Sequence, residues 1–279
     1  MKTNIDPHLV KLVQSQHPEK LLPFVRNMND QTLAAIYGTD ADTYRSIIRH
    51  LTQLAQDTAR EMLNDAAFAN KLDRIPFQAG QTIIAVGEST TDDLLSWFEL
   101  LRHLIGLRRP HDGIRFINEG ISGYTSTQTL RRMSSVTAMN PDWILCMIGG
   151  NDALRIGPEP AKTQVSPEET AKNLSAIRHI AASRTKARWV WLTPPPINEE
   201  QAAAYPYFQF SQLAWRSKDI ARVSETIRSL PEPVVDMQSV FTAYVDQPPL
   251  GPDGVHPTLE GHQAIVTQLV EALAGGITA

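Results

Sequence analysis

The sequence predicts an α/β domain in three layers, a five-stranded parallel sheet between two layers of helices, with a small helical region in front of it. Three observations carry that prediction. Five short apolar runs, 82–86, 114–118, 143–148, 189–192 and 234–235, are separated by stretches long enough for crossover helices. The runs are nearly continuous in apolar residues, as strands buried on both faces of a parallel sheet are. Before Pro76 the apolar residues recur at helical spacing instead.

Taken in order, Leu33, Ile36 and Tyr37, then Ile47, Ile48, Leu51 and Leu54, then Met62, Leu63 and Phe68 suggest three or four short helices. Pro76 breaks that pattern, so the chain divides into a helical region, 1–76, and a sheet domain, 77–279. The first strand, Thr82 to Val86, leads through Gly87 to Ser89 and a helix near 91–105. Helices near 125–138, 167–184 and 211–229 follow the next strands, and a last helix follows Pro257. Thr193 to Phe210 is the least regular stretch, rich in proline and aromatic residues. It leaves the carboxyl end of the fourth strand, so Pro195, Tyr205, Tyr207 and Phe208 are candidates for a pocket wall. Rings that merely dock the loop are the other reading.

With 279 residues, of which 42% are hydrophobic and 20% charged, the chain can bury a large core. A formal net charge of −4 and the lack of a strongly basic tract argue against nucleic acid as a partner. The adjacent pairs Arg108-Arg109 and Arg131-Arg132 read as solvated faces. Met1 to Pro7 lacks the apolar core of a signal peptide, and no stretch has the length to span a bilayer. The chain thus reads as cytoplasmic, with a mature form that has lost its leader left open. The single cysteine, Cys146, cannot form an internal disulfide and falls in a buried-strand pattern.

Chemistry concentrates in two places. Asp253-Gly254-Val255-His256-Pro257 supplies an acid and a base three residues apart, and Ser89 sits between a strand and a helix start. Histidine is the side chain whose ordinary pKa lies nearest neutrality, so His256 is the candidate base for a serine nucleophile. Asp253, one tight turn away, can fix the tautomer of that ring and stabilise the imidazolium. Each residue also has a plainer use. Ser89 suits a helix cap, Gly149-Gly150-Asn151-Asp152 suits a turn, and Asp253, His256 and His262 could bind a metal, although their spacing matches no usual zinc pattern.

The residue two beyond Ser89 is Thr91 rather than glycine, which departs from the nucleophile elbow of α/β-hydrolases. Two further segments, Asn118-Glu119-Gly120-Ile121-Ser122-Gly123-Tyr124-Thr125 and Ile148-Gly149-Gly150-Asn151-Asp152, complete an ordered set. Ser89, Gly123, Asn151 and His256 in that order resemble the SGNH/GDSL hydrolases over roughly residues 80–275. The resemblance implies a flavodoxin-like sheet domain, with Ser89 as nucleophile and Asp253 and His256 as its acid and base. It further implies an oxyanion hole made by Ser89, Gly123 and Asn151. Gly87-Glu88-Ser89-Thr90 stands where the family has Gly-Asp-Ser-Leu, so Glu88 keeps the acid on a longer stem.

What the resemblance implies for function is hydrolysis of carboxylic esters through an acyl-enzyme, without cofactor or metal, on small-molecule, carbohydrate or lipid esters. Short acyl and O-acetyl esters are favoured. Transfer of the acyl group to another acceptor, or a non-catalytic binding role for the same fold, are the alternatives. The helices before Pro76 are expected to serve as a cap, an added layer or a surface for homo-oligomers.

Overall fold

A computed structural model describes residues 5–22, 28–157, 162–242, 244 and 248–276; Met1 to Asn4, where the leader was sought, lie outside them. The chain enters through α1 (Pro7–Ser15), α2 (Pro18–Leu21), α3 (Asp30–Ile36), α4 (Ala41–Met62) and α5 (Ala66–Asp73). The sheet region then runs β1 (Thr82–Gly87), α6 (Ser89–Asp92), α7 (Trp97–Arg108), β2 (Arg115–Gly120), α8 (Ser126–Ala138), β3 (Trp143–Met147) and β4 (Arg155–Ile156). It continues through α9 (Pro167–Arg184), β5 (Arg188–Leu192), α10 (Glu199–Ala204), α11 (Pro206–Phe210), β6 (Leu213–Ala214) and α12 (Ser217–Arg228). β7 (Val234–Val235), α13 (Met237–Thr242) and α14 (Leu259–Ala274) complete it.

Five strands form one parallel sheet in the order β2-β1-β3-β5-β7, while β4 and β6 pair as a small antiparallel ribbon. Strand alternation assigns the two faces. Ile83, Ala85, Leu145 and Met147 face a cluster that includes Leu101 and Leu104 of α7 and Ile265 and Leu269 of α14. Ile84, Val86, Ile144 and Cys146 face the other cluster, with Met133 of α8, Ile177 of α9 and Ile227 of α12. Both faces of β1 and β3 are buried, which is why their sequences read as unbroken apolar runs.

The helices before Pro76 belong to the first cluster through Val13, Leu33, Ile47, Leu51 and Leu72. They differ from the expectation of short helices: α4 has 22 residues. Its stripe continues between the large residues through Ala55, Thr58 and Ala59, which are small, buried and easily passed over in a search for apolar period. Asp40 caps it by accepting from the N–H groups of Asp42 and Thr43.

Two other boundaries differ from the sequence reading. The helix expected near 91–105 is broken into α6 and α7, because Asp93 accepts the Leu95 N–H in a local turn and Ser96 caps α7. The helix expected from 211 starts at Ser217, since Leu213 and Ala214 pair with β4. The irregular Thr193 to Phe210 stretch contains the two short helices α10 and α11. Among the described residues no helix is long and apolar enough to cross a membrane.

Candidate active site

The site lies at the carboxyl edge of the sheet, where β1 has β2 on one side and β3 on the other. In such sheets the chain reverses direction of travel there and leaves a crevice. α6 crosses this edge so closely that a Cβ on Gly87 would lie 2.3 Å from Thr91 Oγ1 and 2.6 Å from the Met147 carbonyl oxygen. Only a glycine lets the strand pass under the helix start that carries Ser89.

Ser89 begins α6 and lies 2.9 Å from His256 Nε2 through its Oγ. His256 Nδ1 lies 2.8 Å from Asp253 Oδ2, and Asp253 Oδ1 accepts from the backbone N–H groups of Val255 and His256, each at 2.9 Å. Burial pushes the Asp253 carboxyl up, but the hydrogen bond and charge of His256 and the two backbone donors outweigh it and hold the group at about 2. The carboxylate thus stays ionised beside the ring. A bonded Nδ1–H leaves Nε2 as the acceptor for the Ser89 hydroxyl proton, the arrangement a serine needs for activation.

Ser89, Gly123 and Asn151, the three residues expected to bind an oxyanion, line the same cavity. Among the described residues no acceptor takes the backbone N–H of Ser89 or of Gly123. Gly123 has φ +81°, a left-handed conformation that other residues adopt with difficulty. Asn151 Nδ2 donates to the Tyr124 carbonyl at 3.0 Å, which orients the amide and leaves its second hydrogen available.

Residues on both sides fix Asn151. Glu88 Oε1 accepts from the Gly150 N–H at 2.9 Å and Oε2 from the Asn151 N–H at 3.0 Å. The longer stem of Glu88 therefore spans from the end of β1 to the Gly149-Gly150-Asn151-Asp152 turn. Burial raises its pKa to about 8, with Asp152 adding to the rise and the two donors opposing it. Next along the chain, the buried Asp152 accepts from the Ser126 N–H and hydroxyl and from Thr170 Oγ1, tying the turn to α8 and α9. Trp215 Nε1 donates to the Gly150 carbonyl at 3.1 Å.

The raised Glu88 pKa sets the direction of a pH effect. An acid whose pKa rises from 4.5 unfolded to about 8 folded binds more protons in the native state between those values, so its contribution to stability declines as pH rises through that window. Thermal unfolding across pH 5 to 8 is expected to show wild type losing more stability than Glu88→Gln, which does not titrate. Parallel curves would contradict this.

A cavity of about 210 Å³ opens over these groups. Leu154, Pro195, Ile197, Phe208, Trp215 and Ile220 give it an apolar wall. Of the four residues considered for the pocket, Pro195 and Phe208 line it. Tyr205 and Tyr207 are not among its lining residues: Tyr205 packs edge-on to Phe208 with ring centroids 4.9 Å apart, and Tyr207 is 62% exposed. Sequence reasoning passed over Gln16, which also lines the cavity, and the anchoring work of Glu88.

His262 is buried on α14, where its Nδ1 accepts from the Trp97 N–H at 3.3 Å. Burial lowers its pKa to about 4. Among the described residues no three His, Cys, Asp or Glu side chains are grouped to hold a metal ion. Cys146 is buried in β3 and burial raises its thiol pKa. The arginine pairs differ from solvated faces in part: Arg108 pairs with Asp73, Arg109 with Asp112, and the half-buried Arg132 with Glu119 at 2.6 Å and the Lys20 carbonyl at 2.9 Å.

Residues 84–264 match the model of the GDSL-like lipase/acylhydrolase family. An acetylxylan esterase of Geobacillus stearothermophilus is 25% identical over 210 residues, 67% of this chain and 91% of that one. A GDSL esterase/lipase of Arabidopsis thaliana is 26% identical over 171 residues, 57% of this chain, which spans about half (54%) of that relative's length. Among solved structures, LAE5, an α/β hydrolase enzyme from the Lake Arreo metagenome, is similar with a TM-score of 0.54 and 26% identity, over 74% of this chain and all of that one. The Geobacillus acetylxylan esterase structure has a TM-score of 0.55 at 22% identity over 72% of this chain and 96% of its own, a likeness of fold. With the family model covering well over half of its residues, the chain belongs to the GDSL-like lipase/acylhydrolase family, enzymes that hydrolyse esters.

Proposed function

We propose that this protein is a serine esterase acting on short acyl esters, O-acetyl sugars among them, through an acyl-enzyme on Ser89. The observation that carries the reading is the continuous chain Ser89–His256–Asp253, at 2.9 and 2.8 Å, opening into the cavity. Ser89 Oγ attacks the ester carbonyl carbon as His256 Nε2 takes its proton. The carbonyl oxygen becomes an oxyanion held by the N–H groups of Ser89 and Gly123 and the amide of Asn151. When the intermediate collapses, the bond to the alcohol oxygen breaks and His256 gives that oxygen the proton. Water then attacks the acyl-enzyme, surrenders a proton to His256, and Ser89 leaves with it as the acid product forms.

The small volume of the cavity supports short acyl groups, and the likeness to an acetylxylan esterase supports an acetylated carbohydrate. A series of p-nitrophenyl esters of increasing acyl length tests the reading, with a chelator control. Turnover is expected to be highest with acetyl to butyryl groups, to fall with longer chains, and to survive the chelator. A preference for long acyl chains would refute the short-acyl assignment.

A further inference from the structure

The strongest unassigned feature is an elbow between α1 and α2. Pro18 begins α2, and a residue before proline is driven to extended backbone. Gln16, one residue earlier, is extended, with φ −127° and ψ 125°, whereas His17 turns away from that conformation with φ −127° and ψ 84°. His17 is buried with Nδ1 2.7 Å from Asp92 Oδ1, whereas Gln16 is exposed and lines the cavity that holds Ser89.

Five contacts hold the elbow in place. Besides the His17 contact, Lys20 Nζ donates to Asp92 Oδ1 at 2.6 Å and to the Gly120 carbonyl at 3.0 Å. Ser122 Oγ donates to the Ser15 carbonyl at 2.5 Å, while the Tyr37 hydroxyl donates to the Gln16 carbonyl. Asp92 Oδ2 in turn accepts from the Ser122 N–H at 2.8 Å, immediately before Gly123. The backbone of Gln16 is therefore tied down, yet its carboxamide has no hydrogen-bond partner among the described residues.

We propose that Gln16 is a specificity-determining residue whose carboxamide hydrogen-bonds the hydroxylated alcohol portion of the ester. This rests on the ester-hydrolase reading above. The cavity lining is chemically mixed: Leu154, Phe208 and Trp215 offer an apolar surface suited to an acyl group, and Gln16 offers one acceptor and two donors to an alcohol bearing free hydroxyls. Because Gln16 precedes the family-matched residues 84–264, its contact is supplied by the added helices rather than by the shared catalytic region.

The test compares 6-O-acetylglucose, rich in free hydroxyls, with p-nitrophenyl acetate, which has none, in wild type and in Gln16→Leu, a change that keeps volume and removes hydrogen bonding. The ratio of kcat/KM for the sugar ester to that for the aryl ester is expected to fall roughly 2- to 10-fold, chiefly through KM, the range one hydrogen bond gives. A ratio equal to that of wild type overturns the proposal, as a merely structural role would lower both rates together. Wild type that turns over only the aryl ester overturns the hydroxylated-alcohol assignment. Failure of wild type on every ester would instead overturn the serine-esterase reading, and this inference with it.

Discussion

Ser89→Ala is expected to lower turnover of p-nitrophenyl acetate by roughly 10⁴-fold or more, about 5 kcal/mol in barrier height. In the proposed mechanism the change removes the atom that bonds covalently to the acyl carbon, Ser89 Oγ, which lies 2.9 Å from His256 Nε2. What remains is a cavity with oxyanion donors, able to favour attack by water but not to split the reaction into two easier steps. Stability should hardly respond, as a part-buried hydroxyl with one partner is lost and the Cβ stays. Initial rates of both proteins at matched concentration, with thermal unfolding as a control for folding, make the measurement. A variant within tenfold of wild type would exclude Ser89 as nucleophile.

Asn151→Ala ranks second, with an expected loss of roughly 10²–10³-fold in kcat and little change in KM. A ground-state carbonyl gains little from the amide, whereas the developing oxyanion gains a charge-assisted bond, so the effect belongs to the transition state. The amide is held in place beforehand by the Tyr124 carbonyl and, through its backbone, by Glu88. Such pre-orientation avoids reorganisation during the reaction. An unchanged kcat would remove Asn151 from the oxyanion role and leave the two backbone donors to account for it.

The sheet was legible in the sequence because burial on both faces leaves an unbroken apolar signature, as in Ile83 to Val86 and Trp143 to Met147. Ser89, Asp253 and His256 stood out in the sequence because the chemistry expected of them requires a local spacing or a fixed position after a strand, and the structure brings the three side chains into contact. Other features depend on contacts between distant residues, which leave no pattern to read. Glu88 reaches the N–H groups of Gly150 and Asn151 across more than sixty residues of sequence, and Gln16 reaches the cavity from outside the sheet region altogether. The small buried residues of α4 hid its length for a related reason: close packing selects Ala55 and Ala59, which no hydropathy period highlights.

The shared apolar cluster beneath α4 and α5 has a practical meaning for anyone who would cut this chain. Leu101 and Leu104 of α7 and Leu269 of α14 sit in one continuous mass with Ile47, Leu51 and Leu72, all at or below 2% exposure. A fragment starting after Pro76 would carry Ser89, Asp253 and His256 intact and yet present a raw oily back to water. Its hazard would be clumping before chemistry, a fault of the wall rather than of the hearth.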